Sequence, residues 1–195
     1  ARRQRQMCIR DSFWLSKKYR VAPEPLSALV AEAYEIGTRA KIDPTLILAI
    51  MAIESSFNPF AESAVGAQGL MQVMTRVHTD KYQNFGGHFA AFDPVSNLRV
   101  GVKVLQECIA RAGSLEGGLR FYVGAGNMAD DGGYAAKVMA EHLRLRQVAG
   151  GRAVPFNPPP SLSTQAPVQS IPAAVPRTTA PAAASDKVAL LTPGL

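Results

Sequence analysis

The sequence predicts a mainly α-helical domain followed by a disordered tail rich in proline and alanine. Three observations carry this. Apolar residues recur at helical spacing in five segments between residues 23 and 149. Two of those segments open on an Asp-Pro pair, with the aspartate as N-cap and the proline at the first helical position, where its missing N–H is no loss. At residue 150 the composition breaks. The last 45 residues hold nine of the fourteen prolines and nine alanines, with no apolar periodicity.

The elements follow in order. "PEPLSALVAEAYEIGTRA" sets Leu26, Leu29, Val30, Ala33 and Ile36 on one helical face, with Gly37 near the end. "KIDPTLILAIMAIESSF" starts from Asp43 and Pro44 and runs apolar without a break from Leu46 to Ile53. That run shows no polar face, so its helix is expected to be buried all round. "DPVSNLRVGVKVLQECIARAG" repeats the opening with Asp93 and Pro94, presents Val95, Leu98, Val102, Leu105 and Ile109, and stops at Gly113. A shorter helix is predicted from Leu115 to about Val123. "GYAAKVMAEHLRLRQV" is expected to bury Ala135, Val138, Met139 and Leu143. No stretch alternates over enough residues for a long strand. Two turn-rich loops, 57–69 and 76–92, separate the helices.

The domain is placed at residues 13–149 and the tail at 150–195. Residues 1–12 are set aside. "MCIRDS" is what ATG-TGT-ATA-AGA-GAC-AG encodes, and that DNA resembles a transposon end used in preparing sequencing libraries. The chain opens on Ala1 rather than Met and no export signal is visible, so its visible start says nothing about export.

Charge excludes one class of partner. Of the formal +6, residues 1–12 carry +3 and residues 151–195 carry +2, which leaves +1 for the middle. There is no basic stripe with interleaved aromatics, and nucleic acid is not expected as a partner. Cys108 falls in a helical apolar pattern and reads as a small buried hydrophobe. His78, His88 and His142 share no metal-ligand spacing with a cysteine, so neither a metal site nor a cofactor is expected.

Glu54 ends the apolar run, and two readings of it stand. The carboxylate emerges at the surface where the helix ends, or it is held in an apolar setting. In the second case Ile50 and Met51, one turn back, desolvate it and raise its pKa. The negative end of the helix dipole acts in the same direction. A carboxyl that keeps its proton near neutrality suits general-acid chemistry.

The residues that follow favour the second reading. "ESSFNPFAESAVGAQGLMQVM", residues 54–74, closely resembles the signature of the soluble lytic transglycosylases, the glycoside hydrolase family 23 relatives of goose-type lysozyme. Their pattern E-S-x-F-N-P, a serine, then G-A-x-G-L-M-Q-x-M is met by Glu54, Ser55, Phe57, Asn58, Pro59, Ser63, Gly66, Ala67, Gly69, Leu70, Met71, Gln72 and Met74. "FDPVSNLRVG" is similar to their D-P-x-x-N-x-x-x-G segment through Asp93, Pro94, Asn97 and Gly101. "FYVGAGN" stands where they have A-Y-N-A-G and keeps Tyr122. "YAAKV" resembles their Y-V-x-K-V and keeps Tyr134. The match runs in order over about residues 42–140.

The resemblance implies a lysozyme-like helical domain with a substrate cleft. Its implied activity is cleavage of the β-1,4 bond between N-acetylmuramic acid and N-acetylglucosamine in peptidoglycan. It places the single catalytic acid at Glu54. That residue would first protonate the leaving oxygen, then take the proton of the muramoyl C6 hydroxyl as a 1,6-anhydro ring closes. Ser63, Gln72, Met74 and Tyr122 match substrate-contact positions. Phe57, Asn58 and Pro59 are expected to shape the turn after the helix, and Asn97 to fix contacts between helix and loop. The other carboxylate nearby, Glu62, occupies a variable place in the motif and is not expected to form a catalytic pair. Two departures stand out: Thr75 replaces a proline, opening that turn, and Val123 replaces an asparagine, removing an amide from around Tyr122.

Two alternatives follow the same sequence. One is a lysozyme-type hydrolase of the same bond, and the other is an inactive glycan-binding module. The implied partner is the peptidoglycan glycan strand, with an envelope partner conceivable for the tail, and the implied location is the bacterial periplasm or envelope.

Overall fold

In the computed structural model the second of the five segments is buried along most of its length. Asp43 Oδ1 accepts the Thr45 N–H at 3.0 Å, Pro44 follows it, and helix α3 runs from Pro44 to Ser55. Every residue from Thr45 to Ala52 is buried. With each large aliphatic side chain worth about 1.5–3 kcal/mol on burial, this helix contributes heavily to the core. The structure describes residues 2–156.

The other main helices among these residues are α1 (Arg2–Tyr19), α2 (Pro23–Ala40), α5 (Pro94–Ala112), α6 (Leu115–Tyr122) and α7 (Tyr134–Ala149). Helix α7 and helix α2 pack directly on α3, α1 bridges α2 and α7, and α5 joins α2 to α6. The domain is thus mainly α, as the sequence predicts.

Helix α5 begins as expected, with Asp93 Oδ1 accepting the Ser96 N–H at 2.8 Å, and ends at Gly113 with φ +70°. Leu98, Val102 and Leu105 of its expected stripe are buried, while Val95 and Ile109 at the two ends are half-buried.

Helix α7 departs from expectation. Ala135 and Val138 are buried, but Met139 and Leu143 are 36% and 56% exposed. Glu141, His142, Leu145 and Val148 face inward instead. The reason is pairing that hydropathy does not register. Glu141 accepts from Lys18 Nζ at 2.5 Å, Tyr19 Oη at 2.8 Å and Arg144 at 2.9 Å. His142 Nδ1 lies 3.0 Å from Thr45 Oγ1 on α3. A satisfied carboxylate and a satisfied imidazole can take core positions.

The two turn-rich loops carry short elements. Strands β1 (Ala67–Gln68) and β2 (Val73–Met74) pair antiparallel, with Ala67 opposite Met74 and Gln68 opposite Val73. Residues 76–92 hold the single-turn helix α4 (Thr79–Tyr82) and two 3-10 turns, Gln83–Phe85 and His88–Phe92. Segments this short leave no periodic signal.

Residues 2–12, set aside above, continue α1 toward its N-terminus. Their one buried acid, Asp11, is pushed up to about 7 by burial, and its Oδ1 has no hydrogen-bond partner among the described residues. Nothing in the site below rests on them. The expected tail starts with residues 150–156, where Val154 O accepts the Trp14 indole N–H at 2.9 Å and the Phe156 ring packs on Trp14. From residue 157 onward it lies outside the described residues.

Candidate active site

Glu54 sits in the last turn of α3, and the chain reverses sharply after it. Ser56 and Phe57 both take left-handed backbone, φ +50° and +65°, with their N–H groups returning to Ala52 O and Met51 O. Non-glycine residues there are strained, and such strain concentrates at functional sites. It is held by packing: Phe57 is buried and meets the Tyr19 ring edge-on at 5.4 Å. The reversal leaves Glu54 half-buried instead of extending into solvent.

Tyr134, the first residue of α7, supplies its partner. The Tyr134 hydroxyl donates to Glu54 Oε1 at 2.5 Å. Asp131 fixes the start of that helix, accepting from the Gly133 and Ala135 N–H groups at 2.9 Å each. Burial pushes the Glu54 carboxyl up to about 7, and the Tyr134 hydrogen bond opposes that rise without cancelling it. Burial, and then the charge of Glu54, raise the Tyr134 phenol, so it remains a donor.

The hairpin forms the adjoining wall and is tied to three helices. Asn97 of α5, fully buried, accepts the Met71 N–H on Oδ1 at 2.8 Å and donates from Nδ2 to Gln68 O at 2.9 Å and Tyr82 Oη at 3.1 Å. Ser55, next to Glu54, places its hydroxyl 2.8 Å from Leu70 O. Tyr122, the last residue of α6, donates to Met71 O at 2.7 Å. Two glycines permit this closeness. A Cβ on Gly69 (φ +79°) would meet Ala91 O at 2.3 Å, and one on Gly101 would meet Met71 Sδ at 2.6 Å.

The remaining expected contact residues lie on this hairpin and its approach. Ser63 Oγ accepts the Ala67 N–H at 3.0 Å. Gln72, at φ +47°, donates its amide N–H groups to Ala61 O and Gly69 O at 3.0 and 3.1 Å. Its nitrogen therefore holds the loop, and Met74 stands half-buried in β2. Glu62 is exposed and accepts from Gln68 Nε2 at 3.1 Å.

Both departures from the family pattern are accommodated. Thr75 is buried and donates to Gln68 Oε1 at 2.5 Å, so it ties the turn that the lost proline was expected to open. Tyr122 finds its acceptor in Met71 O, with Val123 42% exposed beside it.

Sequence reasoning assigned Tyr134 no role, although it stands in the quoted "YAAKV" segment. The available signal was its place directly after Gly132-Gly133 at a helix start. Only the packing of α7 on α3 turns that place into a contact with Glu54. Cys108 is half-buried against the core, with its thiol raised by burial.

The arrangement is a proton-holding carboxyl, one oxygen of which is engaged by a tyrosine, beside a braced hairpin. Comparison with known proteins gives the family. Residues 27–140 match the family model described as "Transglycosylase SLT domain". Over 102 residues the chain is 36% identical to "Transglycosylase" of Enterobacteria phage PRD1, covering 50% of this chain and 37% of that protein. Over 77 residues it is 41% identical to "Membrane-bound lytic murein transglycosylase C" of Mannheimia succiniciproducens, covering 36% of this chain and 22% of that protein. The chain thus spans 22% to 37% of these relatives' own lengths. With its family model matched across more than half its length, the chain belongs to the transglycosylase SLT domain family.

Proposed function

We propose that this chain is a peptidoglycan lytic transglycosylase. It would cleave the β-1,4 bond between N-acetylmuramic acid and N-acetylglucosamine and leave a 1,6-anhydromuramoyl end. The observation that carries the reading is the half-buried Glu54, with its pKa raised to about 7 and its Oε1 bonded to Tyr134.

With Oε1 engaged, Oε2 is the oxygen that passes the proton. It goes to the bridging oxygen as the bond from the muramoyl C1 breaks. The resulting carboxylate, held by the Tyr134 hydroxyl, then takes the proton of the muramoyl C6 hydroxyl while that oxygen bonds to C1. Glu54 ends protonated, as it began, and no water enters. One carboxyl suffices because the substrate supplies the nucleophile. Tyr122 and Met74 line the approach, and Ser63 and Gln72 keep the hairpin loop in shape for the glycan strand. Such a substrate puts the enzyme in the bacterial envelope, a location in keeping with the membrane-bound name of one relative. No helix among the described residues is long and apolar enough to cross a membrane.

The test is mass spectrometry of muropeptides released from purified cell walls. Anhydro ends, lighter by one water than reducing ends, are expected, and reducing ends would establish a hydrolase instead. Glu54→Gln should keep the fold and lose glycan cleavage. Retention of more than about a tenth of the activity, a barrier change under about 1.4 kcal/mol, would contradict the assigned role.

A further inference from the structure

Arg111 and Glu107 stand one turn apart on α5, at the spacing and in the order that favour a helix salt bridge. The bridge is not made. Glu107 Oε2 pairs with Lys81 Nζ at 3.1 Å, and the Arg111 guanidinium lies over the Phe121 ring, 4.5 Å from its centre. Among the described residues Arg111 has no carboxylate within ion-pair distance. A guanidinium stacked in this way is oriented while its N–H edge stays open, which suits it to receive a planar carboxylate.

It stands at a cavity of about 410 Å³, whose walls include Val77, His78, Val104, Glu107, Phe121 and Tyr122. Tyr122 belongs to both places. It lines this cavity, and its hydroxyl donates to Met71 O in the hairpin. Tyr122 is therefore the residue that joins the cavity to the candidate site. The cavity lining is mainly apolar and carries two charges, Glu107, which Lys81 answers, and Arg111, which has no anion among the described residues, so the matching group is an acid on a partly apolar carrier.

We propose that this side pocket receives a carboxylate carried on the lactyl substituent of the muramoyl residue, with Arg111 as its partner. The inference rests on the peptidoglycan reading above. Two sources share this chemistry: the carboxylates of the stem peptide, and the lactyl carboxylate itself once the peptide is removed.

The test uses the Glu54→Gln protein, with and without Arg111→Gln, and reads binding by calorimetry. The probes are soluble glycan strands bearing stem peptides, the same strands stripped by an amidase, and uncharged chitohexaose. Arg111 is exposed, so both proteins should melt alike. Arg111→Gln is expected to weaken binding of the peptide-bearing strands about tenfold, the scale of one charge-assisted hydrogen bond, and to leave chitohexaose within about twofold. A loss confined to intact strands assigns the pocket to the stem-peptide carboxylates, a loss confined to stripped strands assigns it to the lactyl carboxylate, which is an amide in the intact strand, and a loss on both shows that it takes either. No loss on either charged probe, or the same loss on chitohexaose, overturns the pocket while cleavage by the unmodified protein still upholds the enzyme reading. Failure of the unmodified protein to cleave, with no binding of any strand, removes both.

Discussion

Glu54 must hold a proton to break a glycosidic bond and then give a carboxylate that can take one back. Its environment sets the balance. Burial raises its pKa to about 7, and the Tyr134 hydroxyl pulls it down by favouring the ionised form. Activity that needs the acid form should therefore fall as pH rises through about 7. Tyr134→Phe removes the opposing influence, so the basic limb of the rate profile should move to higher pH. The plateau should drop as well, because the carboxylate loses its donor at the base step, a hydrogen bond worth about 1.5–3 kcal/mol. A limb that stays in place would show that Tyr134 does not tune this acid.

The same burial has a stability consequence with a definite sign. Below about pH 4, folded and unfolded chains both carry the Glu54 proton, and the residue makes no difference. Between its ordinary value of 4.5 and the folded value near 7, the unfolded chain ionises first, so stability is lost as pH rises. Glu54→Gln does not titrate. Its advantage in denaturant unfolding should grow from nothing near pH 4 to about 1–3 kcal/mol by pH 7.5.

At the scale of elements, the hairpin depends on α5 more than on its own strands. Two-residue strands contribute little alone, and the backbone groups of Gln68 and Met71 are satisfied by Asn97. Asn97→Ala would leave the Met71 N–H, Gln68 O and Tyr82 Oη without their partner. A loss of about 2–4 kcal/mol in chemical denaturation is expected, together with slower cleavage, since Tyr122 bonds to the same Met71 peptide. Helix ends were readable because their signals are local. Asp43–Pro44, Asp93–Pro94 and Gly113 act on their own backbone within a turn. The role of Asn97 was expected only in outline, because its partners lie 15 to 29 residues away in sequence.

At the scale of the molecule, α1 and α7 are joined by a buried charge cluster. Glu141 is 1% exposed and is answered by Lys18, Tyr19 and Arg144. Glu141→Ala would leave Lys18, itself largely buried, without its anion. We expect a loss of about 3 kcal/mol in thermal or denaturant unfolding, with the cleavage rate per folded molecule little changed. Because α7 also carries Tyr134, a larger fall in rate than in folded fraction would mean that this cluster sets the angle at which the tyrosine meets Glu54.

The sequence by itself determined the helical class, the places where α2, α3, α5, α6 and α7 begin, the all-round burial of α3 and the candidacy of Glu54. Each depends on neighbours within a few residues, through periodicity, caps and a contiguous motif. Tertiary structure alone decided which face of α7 is buried, the pairing of Tyr134 with Glu54 and the hold of Asn97 on the hairpin. It also decided that Arg111 has no carboxylate partner among the described residues. Those outcomes require side chains far apart in sequence to be brought within hydrogen-bond distance, and no local pattern of hydropathy encodes that distance.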